Sequence, residues 1–362
     1  MRLKAVWAGL FTVAICAGGL GVVPAAADAA VSVRASAGTG SAMAGTLTGV
    51  SCPTPLYCVS TGQLDSVSGG GVVGTTDGGH TWKPLTTPPA VAGLAGVSCP
   101  RIGRCEVVGG GNGDAGAVYG SHNGGQTWHA QSAVIIGGLF AAVACPSPTV
   151  CEATGNSGAI FGTTNGGQTW AQQQTPATAS LVQAVSCPTT TTCEAVGYGD
   201  NRGMALRTTN GGSTWSAQPL PSSVQFLAGV ACPTVRMCAA VGMNVTGGGS
   251  TEVGVVVTTT SSGRAWTQQP IPAGITDLAG VACPTADICE AGGLGPTAVI
   301  GTTDGGAAWT AQPISGSMFI TAVTCPGTHR CEVVGENAND RAVAFGTANG
   351  GHSWTRQTIP GP

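Results

Sequence analysis

Charge is scarce in this sequence. Of its 362 residues only 8% are Asp, Glu, Lys or Arg, and the formal net charge is −3. The 13 Lys and Arg are scattered along the chain, so no basic stripe for nucleic acid is present. The same scarcity argues against steering of a strongly charged partner. Aromatic residues make up only 5%, which leaves few platforms for stacking sugar rings. No apolar run after the N-terminus is long enough to cross a membrane. What the chain has in quantity is Gly, with 60 residues, and Cys, with 15.

Residues 1–27 read as a secretory signal. Arg2 and Lys4 supply the positive start, Ala5 to Val23 is apolar, and Pro24-Ala25-Ala26-Ala27 offers a small-residue cleavage site. The apolar run is also long enough to serve as an uncleaved anchor. Cys16 invites a lipoprotein reading, but Ile15 before it is too bulky for that cleavage motif. The expectation is a secreted, extracellular protein cleaved near Ala27. A leader rich in Ala, Gly and Ser follows over 28–45, and one folded domain over 46–362.

The other cysteines fall in pairs along the chain. Cys52 goes with Cys58, Cys99 with Cys105, Cys145 with Cys151, and Cys187 with Cys193. Cys232 goes with Cys238, Cys283 with Cys289, and Cys325 with Cys331. Each pair is spaced alike, and Pro follows the first member. One pair per repeat in an exported chain reads as one disulfide per repeat. Metal binding fails on ligand count, because no His repeats with the pairs. Redox catalysis does not fit, because the spacing is not Cys-x-x-Cys. No metal and no cofactor are expected.

The stretch Thr163–Trp170, TTNGGQTW, recurs along the chain. It reads TTDGGHTW at 75–82, SHNGGQTW at 121–128, TTNGGSTW at 208–215, TTDGGAAW at 302–309 and TANGGHSW at 347–354. A worn copy, TTSSGRAW, lies at 259–266. Asp-Gly and Asn-Gly are strong hairpin signals, because the turn needs positive φ. The Asp or Asn side chain accepts from turn amides, and the Trp suits a buried anchor. Between boxes run short β-branched stretches with turn signals, four per repeat. A repeat of this length buries its faces only by stacking on neighbours. These units predict an all-β, seven-bladed β-propeller of four-stranded antiparallel blades. An open β-solenoid is the competing architecture.

The pattern Ser/Thr-x-Asp/Asn-x-Gly-x-x-Trp resembles the Asp-box, or bacterial neuraminidase repeat, of sialidases, xyloglucan hydrolases, sortilin-type receptors and photosystem assembly factors. The resemblance implies a propeller and does not imply an activity. A sialidase also needs an arginine cluster and a Tyr nucleophile with a Glu partner. Tyr57 and Tyr119 lie by the Cys hairpin and the box; Tyr198 lies in a variable loop. A glycosidase of another kind needs two facing carboxylates. The variable loops offer Asp65, Asp114, Asp200, Glu252, Asp277, Glu336 and Asp340, none in a setting that marks a raised pKa. Glu106, Glu152, Glu194, Glu290 and Glu332 each follow a second Cys, and read as scaffold rather than as a cation ring. Opposite charges cluster in the variable loops at Asp200 with Arg202 and at Asp340 with Arg341. With Tyr198 these are the candidate ligand-binding residues. The reading is a monomeric binding or scaffold module at the cell surface, toward glycan or protein. The alternative is a sialidase-like glycoside hydrolase.

Overall fold

The computed structural model describes residues 43–64, 70–111, 115–136 (133–136 as backbone alone), 138–246, 251–295, 298–316 and 318–359. The proposed signal 1–27, with Cys16, and leader residues 28–42 lie outside these, as do Asp65 and Asp114. The first repeat sets the plan: β1 Gly45–Ser51, β2 Cys58–Leu64, β3 Gly70–Thr75 and β4 Lys83–Pro84, paired in that order. The same antiparallel meander recurs along the chain, and each first strand packs on the first strand of the next repeat. The first strand of the last repeat, Met318–Thr324, returns to β1. The molecule is an all-β propeller with four-stranded blades.

The expectation of seven separate blades needs correction. Five blades stand as separate four-stranded sheets, but the last two repeats share one eight-stranded sheet. Leu294 and Gly295, at the end of Cys289–Gly295, pair with Phe319 and Met318 of the next repeat. The reason is length. The third strand of that repeat, Val299–Thr302, pairs only as far as Gly292, so the end of the second strand has an open edge.

Each Cys pair closes a disulfide within its own hairpin. Cys52 bonds Cys58, Cys99 bonds Cys105, Cys145 bonds Cys151, and Cys187 bonds Cys193. Cys232 bonds Cys238, Cys283 bonds Cys289, and Cys325 bonds Cys331. The second member of each pair lies at the start of the second strand of its repeat, first in it at Cys151 and Cys238 and second at Cys105, and is fully buried there. The staple therefore fixes the register at which the second strand begins.

The box turn is built by its own side chains. Thr75 Oγ1 donates to Asp77 Oδ1 (2.7 Å) and accepts from Gly79 N–H (3.0 Å), while Asp77 Oδ1 accepts from Thr81 N–H (2.9 Å). In the worn copy Ser261 Oγ takes the Asp role and accepts from Ala265 N–H (3.0 Å). A backbone bond then ties each box turn to the Cys hairpin of the same repeat, as in Gly78 N–H to Leu56 O (3.0 Å) and Gly350 N–H to His329 O (3.0 Å). Both turns therefore lie at one end of the ring.

Four of the junctions between neighbouring repeats carry a buried strut. Trp170 Nε1–H donates to Gln131 Oε1 (2.6 Å) of the preceding repeat, and Gln131 Nε2–H donates to Glu106 (2.8 Å). Trp354, Gln312 and Glu290 repeat the arrangement, at 3.0 Å for both bonds. Trp215 donates to Gln173 (2.7 Å), which bonds Glu152. The Gln needs space on both sides. A Cβ on Gly162 would fall 2.1 Å from Gln173 Nε2, and one on Gly167 would fall 2.2 Å from Gln131 Nε2. In the fourth repeat Arg207 occupies the corresponding strand position and bonds Glu194 itself (3.0 Å). The first repeat uses an apolar version: Val59 and Leu85 replace Glu and Gln, and Leu85 fills the space beside Gly74 and Gly125. The serial Glu are thus structural, and Glu106, Glu152, Glu194, Glu290 and Glu332 are all buried.

The strut also closes the ring. Trp82 Nε1–H donates to Gln357 Oε1 (2.7 Å), and Gln357 Nε2–H donates to Glu332 (2.7 Å). Beside it the start of the domain docks on the last repeat. Ala342 N–H donates to Met43 O (3.1 Å) and Gly45 N–H to Asp340 O (3.0 Å), while Met43 N–H reaches Ile359 O (3.4 Å). Thr46 bonds Glu336 in the same seam. Residues 43–45, read as the end of the leader, are therefore part of the seam.

The strut can be tested by substitution and by pH. The box Trp residues are buried except Trp354, which is partly so. Trp170→Ala should cost about 3–5 kcal/mol in denaturant titration; a cost near that of a surface substitution would remove the anchor role. Burial pushes the carboxyls of Glu106, Glu152 and Glu332 up to about 8, and those of Glu194 and Glu290 to about 7, from an ordinary 4.5. The folded state then holds protons that the unfolded chain has released. The contribution of these carboxyls to stability is complete below about pH 4.5 and is lost as pH rises through about 8. The melting temperature should fall from pH 5 to pH 9, and Glu152→Gln should shrink that fall. Asp77 acts in the opposite sense, held down to about 2 by bonds from Thr81 and Thr75, so its effect is confined to strong acid.

Candidate functional site

The two ends of the ring differ in kind. At the Cys-hairpin end the loops are uniform, because every disulfide spans a sequence separation of 6. There the ends of the first strands surround an axial mouth of about 340 Å³. Val143, Val185, Val230 and Val281, each two residues before a Cys, line it together with small Ala and Ser side chains and half-cystines. None of its lining residues is ionisable. The rim is held by further bonds between repeats: Ser98 Oγ accepts Cys145 N–H (3.0 Å), and Ser186 Oγ accepts Cys232 N–H (3.0 Å). The sequence signal for this mouth is the Val-x-Cys ending of each first strand. The sequence marks those residues as crowded near an axis, yet loop variability directs attention to the other end.

The candidate ligand residues sit at that opposite end, in two hairpins three repeats apart. Asp200 and Asn201 both have positive φ, 50° and 59°, and form the tight turn between Cys193–Gly199 and Arg202–Thr208. Tyr198 O–H donates to Asn201 Oδ1 (3.3 Å). Asp340 (φ 54°) and Arg341 form the turn between Cys331–Asn337 and Ala342–Thr347, where Asn337 Oδ1 accepts from Asn339 and Arg341 N–H. Asp340 O and Arg341 also meet the start of the domain, at Gly45 and Ala44. These clusters have a local role in turn geometry and in the seam.

Two carboxylates differ from their sequence reading: Glu336, which is buried and raised by that burial, and Asp277. Burial, and then the charge of Glu252, push Asp277 up to about 6, against the pull of the Leu278 N–H. Asp277 opens the first strand of its repeat, Asp277–Ala282, and Glu252 lies on Thr251–Thr259 of the preceding one. The relation crosses a repeat boundary, which local sequence context does not display. Among the described residues no group of His, Cys, Asp and Glu is placed to hold a metal ion. No helix there is long and apolar enough to cross a membrane.

Comparison with known proteins gives the fold. No family model and no curated protein matches the chain. Among solved structures it is similar to YCF48 bound to D1 peptide (TM-score 0.63, 15% identity, covering 85% of this chain and 94% of that one). It is similar to the WD40 β-propeller domain of Doa1 (TM-score 0.61, 8% identity, 84% and 93%). It also resembles an ancestral GH74 enzyme (TM-score 0.59, 14% identity, 88% of this chain but 46% of that one). At these identities the likeness establishes a β-propeller and carries no activity with it.

Proposed function

We propose that this chain is an exported binding or scaffold module. In this reading its eight-stranded sheet counts as two blades, which makes a seven-bladed propeller of Asp-box repeats. The box turns support that assignment, since their hydroxyl and Asp or Asn side chains bond the turn amides repeat after repeat. The disulfides support an oxidising, extracellular setting.

The observation that carries the binding reading is the axial mouth. A rigid rim around about 340 Å³, lined by small side chains and no ionisable group, can receive a ligand but cannot move a proton. The ligand is a protein segment or a glycan. The similar YCF48 structure holds a peptide, which favours the former. A peptide and glycan array probed with the full chain should return a ligand, and Ala144→Leu, which fills the mouth, should abolish its capture. Capture indifferent to that substitution would move the site elsewhere, with the hairpins of Asp200 and Asp340 next in line.

The Asp277 and Glu252 pair favours a second reading, a glycoside hydrolase, because one carboxyl is held up beside another. Aryl-glycosides and sialosides should show no turnover above background. Turnover that disappears in Asp277→Asn would establish the enzyme.

A further inference from the structure

The basic residues that are scattered in sequence are gathered in space. Among the described residues every Lys and Arg except Arg202 and Arg341 lies at the Cys-hairpin end. The Cys hairpins carry Arg101, Arg104, Arg236 and Arg330; the box turns and adjoining strand ends carry Lys83, Arg207, Arg264 and Arg356. All 5 histidines, His80, His122, His129, His329 and His352, are at this end as well. Arg104 and Arg207 are tied down by Gly166 O and by Glu194, and the other cations are exposed. Against them this end shows only Asp77, Asp287 and Asp304 among the described residues, since the serial Glu are buried below it. The opposite end carries Asp200, Glu252, Asp277, Glu336 and Asp340. The disc is electrically polar from one end to the other.

A second observation coincides with the first. Of the four exposed large apolar residues among those described, Leu56 (54%), Ile102 (59%) and Val235 (40%) are on Cys hairpins, among these cations, and Val253 (41%) is at the opposite end. An exposed apolar side chain on a loop tip is ordinary when it stands singly. Three stand on hairpins of one length, at the end that is also basic. A soluble polyanion would be served by the cations alone and gives these tips nothing to bury. A bilayer surface with anionic headgroups serves both, with charge at the headgroups and apolar tips at the acyl boundary. Cations spread around a flat ring also suit an extended plane better than a groove-bound strand.

We propose that the Cys-hairpin end docks peripherally on an anionic bilayer, so that the axial mouth faces the membrane and its ligand is presented from that surface. The second half rests on the mouth reading above, whereas the docking does not. The test is flotation of the full chain with phosphatidylglycerol-containing vesicles, against phosphatidylcholine alone. Binding should require the anionic lipid and should vanish in about 1 M salt, where the screening length is roughly 3 Å. Combining Arg101→Gln, Arg236→Gln and Arg264→Gln should weaken binding by about fivefold per charge, and Leu56→Ser with Ile102→Ser should weaken it further. All variants share one N-terminus, so a difference between them belongs to this face, and unchanged melting temperatures would exclude unfolding as its source. Vesicle binding that ignores the three arginines overturns the docking. So does saturable binding to soluble polyphosphate without binding to vesicles. Failure of the mouth reading looks different: it appears as peptide or glycan capture that ignores Ala144→Leu.

Discussion

The ring depends on a buried carboxyl group that links one repeat to the next. Each full strut runs from a Trp ring through a Gln amide to a Glu that burial pushes toward its protonated form, and it spans the boundary between repeats. A repeat of four short strands has two faces to bury and little polar surface to keep wet. The strut lets two faces meet around a polar link in which each Gln amide is bonded on both sides. The Gly opposite the Glu and the second Gly of the box are the space this link requires, as at Gly162 and Gly167. Where the full strut is missing, other pairs fill the place, Val59 with Leu85 in the first repeat and Arg207 with Glu194 in the fourth.

Much of this was legible in the sequence because the repeat is local. The Cys hairpins and box turns each close within a few residues, and their geometry follows from Pro, Gly, Asn and Asp at fixed offsets. The strut was not legible, because its three members come from two strands and a box turn of two repeats. Glu106 and Gln131 are 25 residues apart and Gln131 and Trp170 are 39 apart. A signal for it existed all the same. Gln stands three places after the box Trp in each repeat but the first, where Leu85 stands, and that is also a repeat without the Glu. The joining of the last two repeats was hidden for a similar reason, since it depends on how far Val299–Thr302 happens to reach.

The candidate site was less accessible still. Loop variability pointed to the hairpins of Asp200 and Asp340, where charged residues cluster in sequence. In the fold those charges belong to tight turns with positive φ, and Asp340 belongs to the seam. The mouth has no chemically distinctive residue to advertise it. Its lining side chains are the plain Val, Ala and Ser of every repeat, and only their arrangement around an axis makes a cavity. The grouping of cations at one end is likewise invisible to a linear scan. They come from different repeats, and only the meander brings their turns to the same side.

The disulfides all lie inside single hairpins, so no covalent bond joins one repeat to the next except the chain itself. The seam between the last repeat and the first is therefore the one junction held by non-covalent contacts alone, through Gln357, Thr321 and the backbone of residues 43–45. Both ends of the domain emerge there. A tether pulled at Met43 bears directly on that junction, and so does one pulled at Ile359. The other junctions are in series with the peptide chain and are shielded until the first gives way. Under mechanical load the ring has a built-in place to unroll, and it is the place where any neighbour attached to either terminus would apply its force.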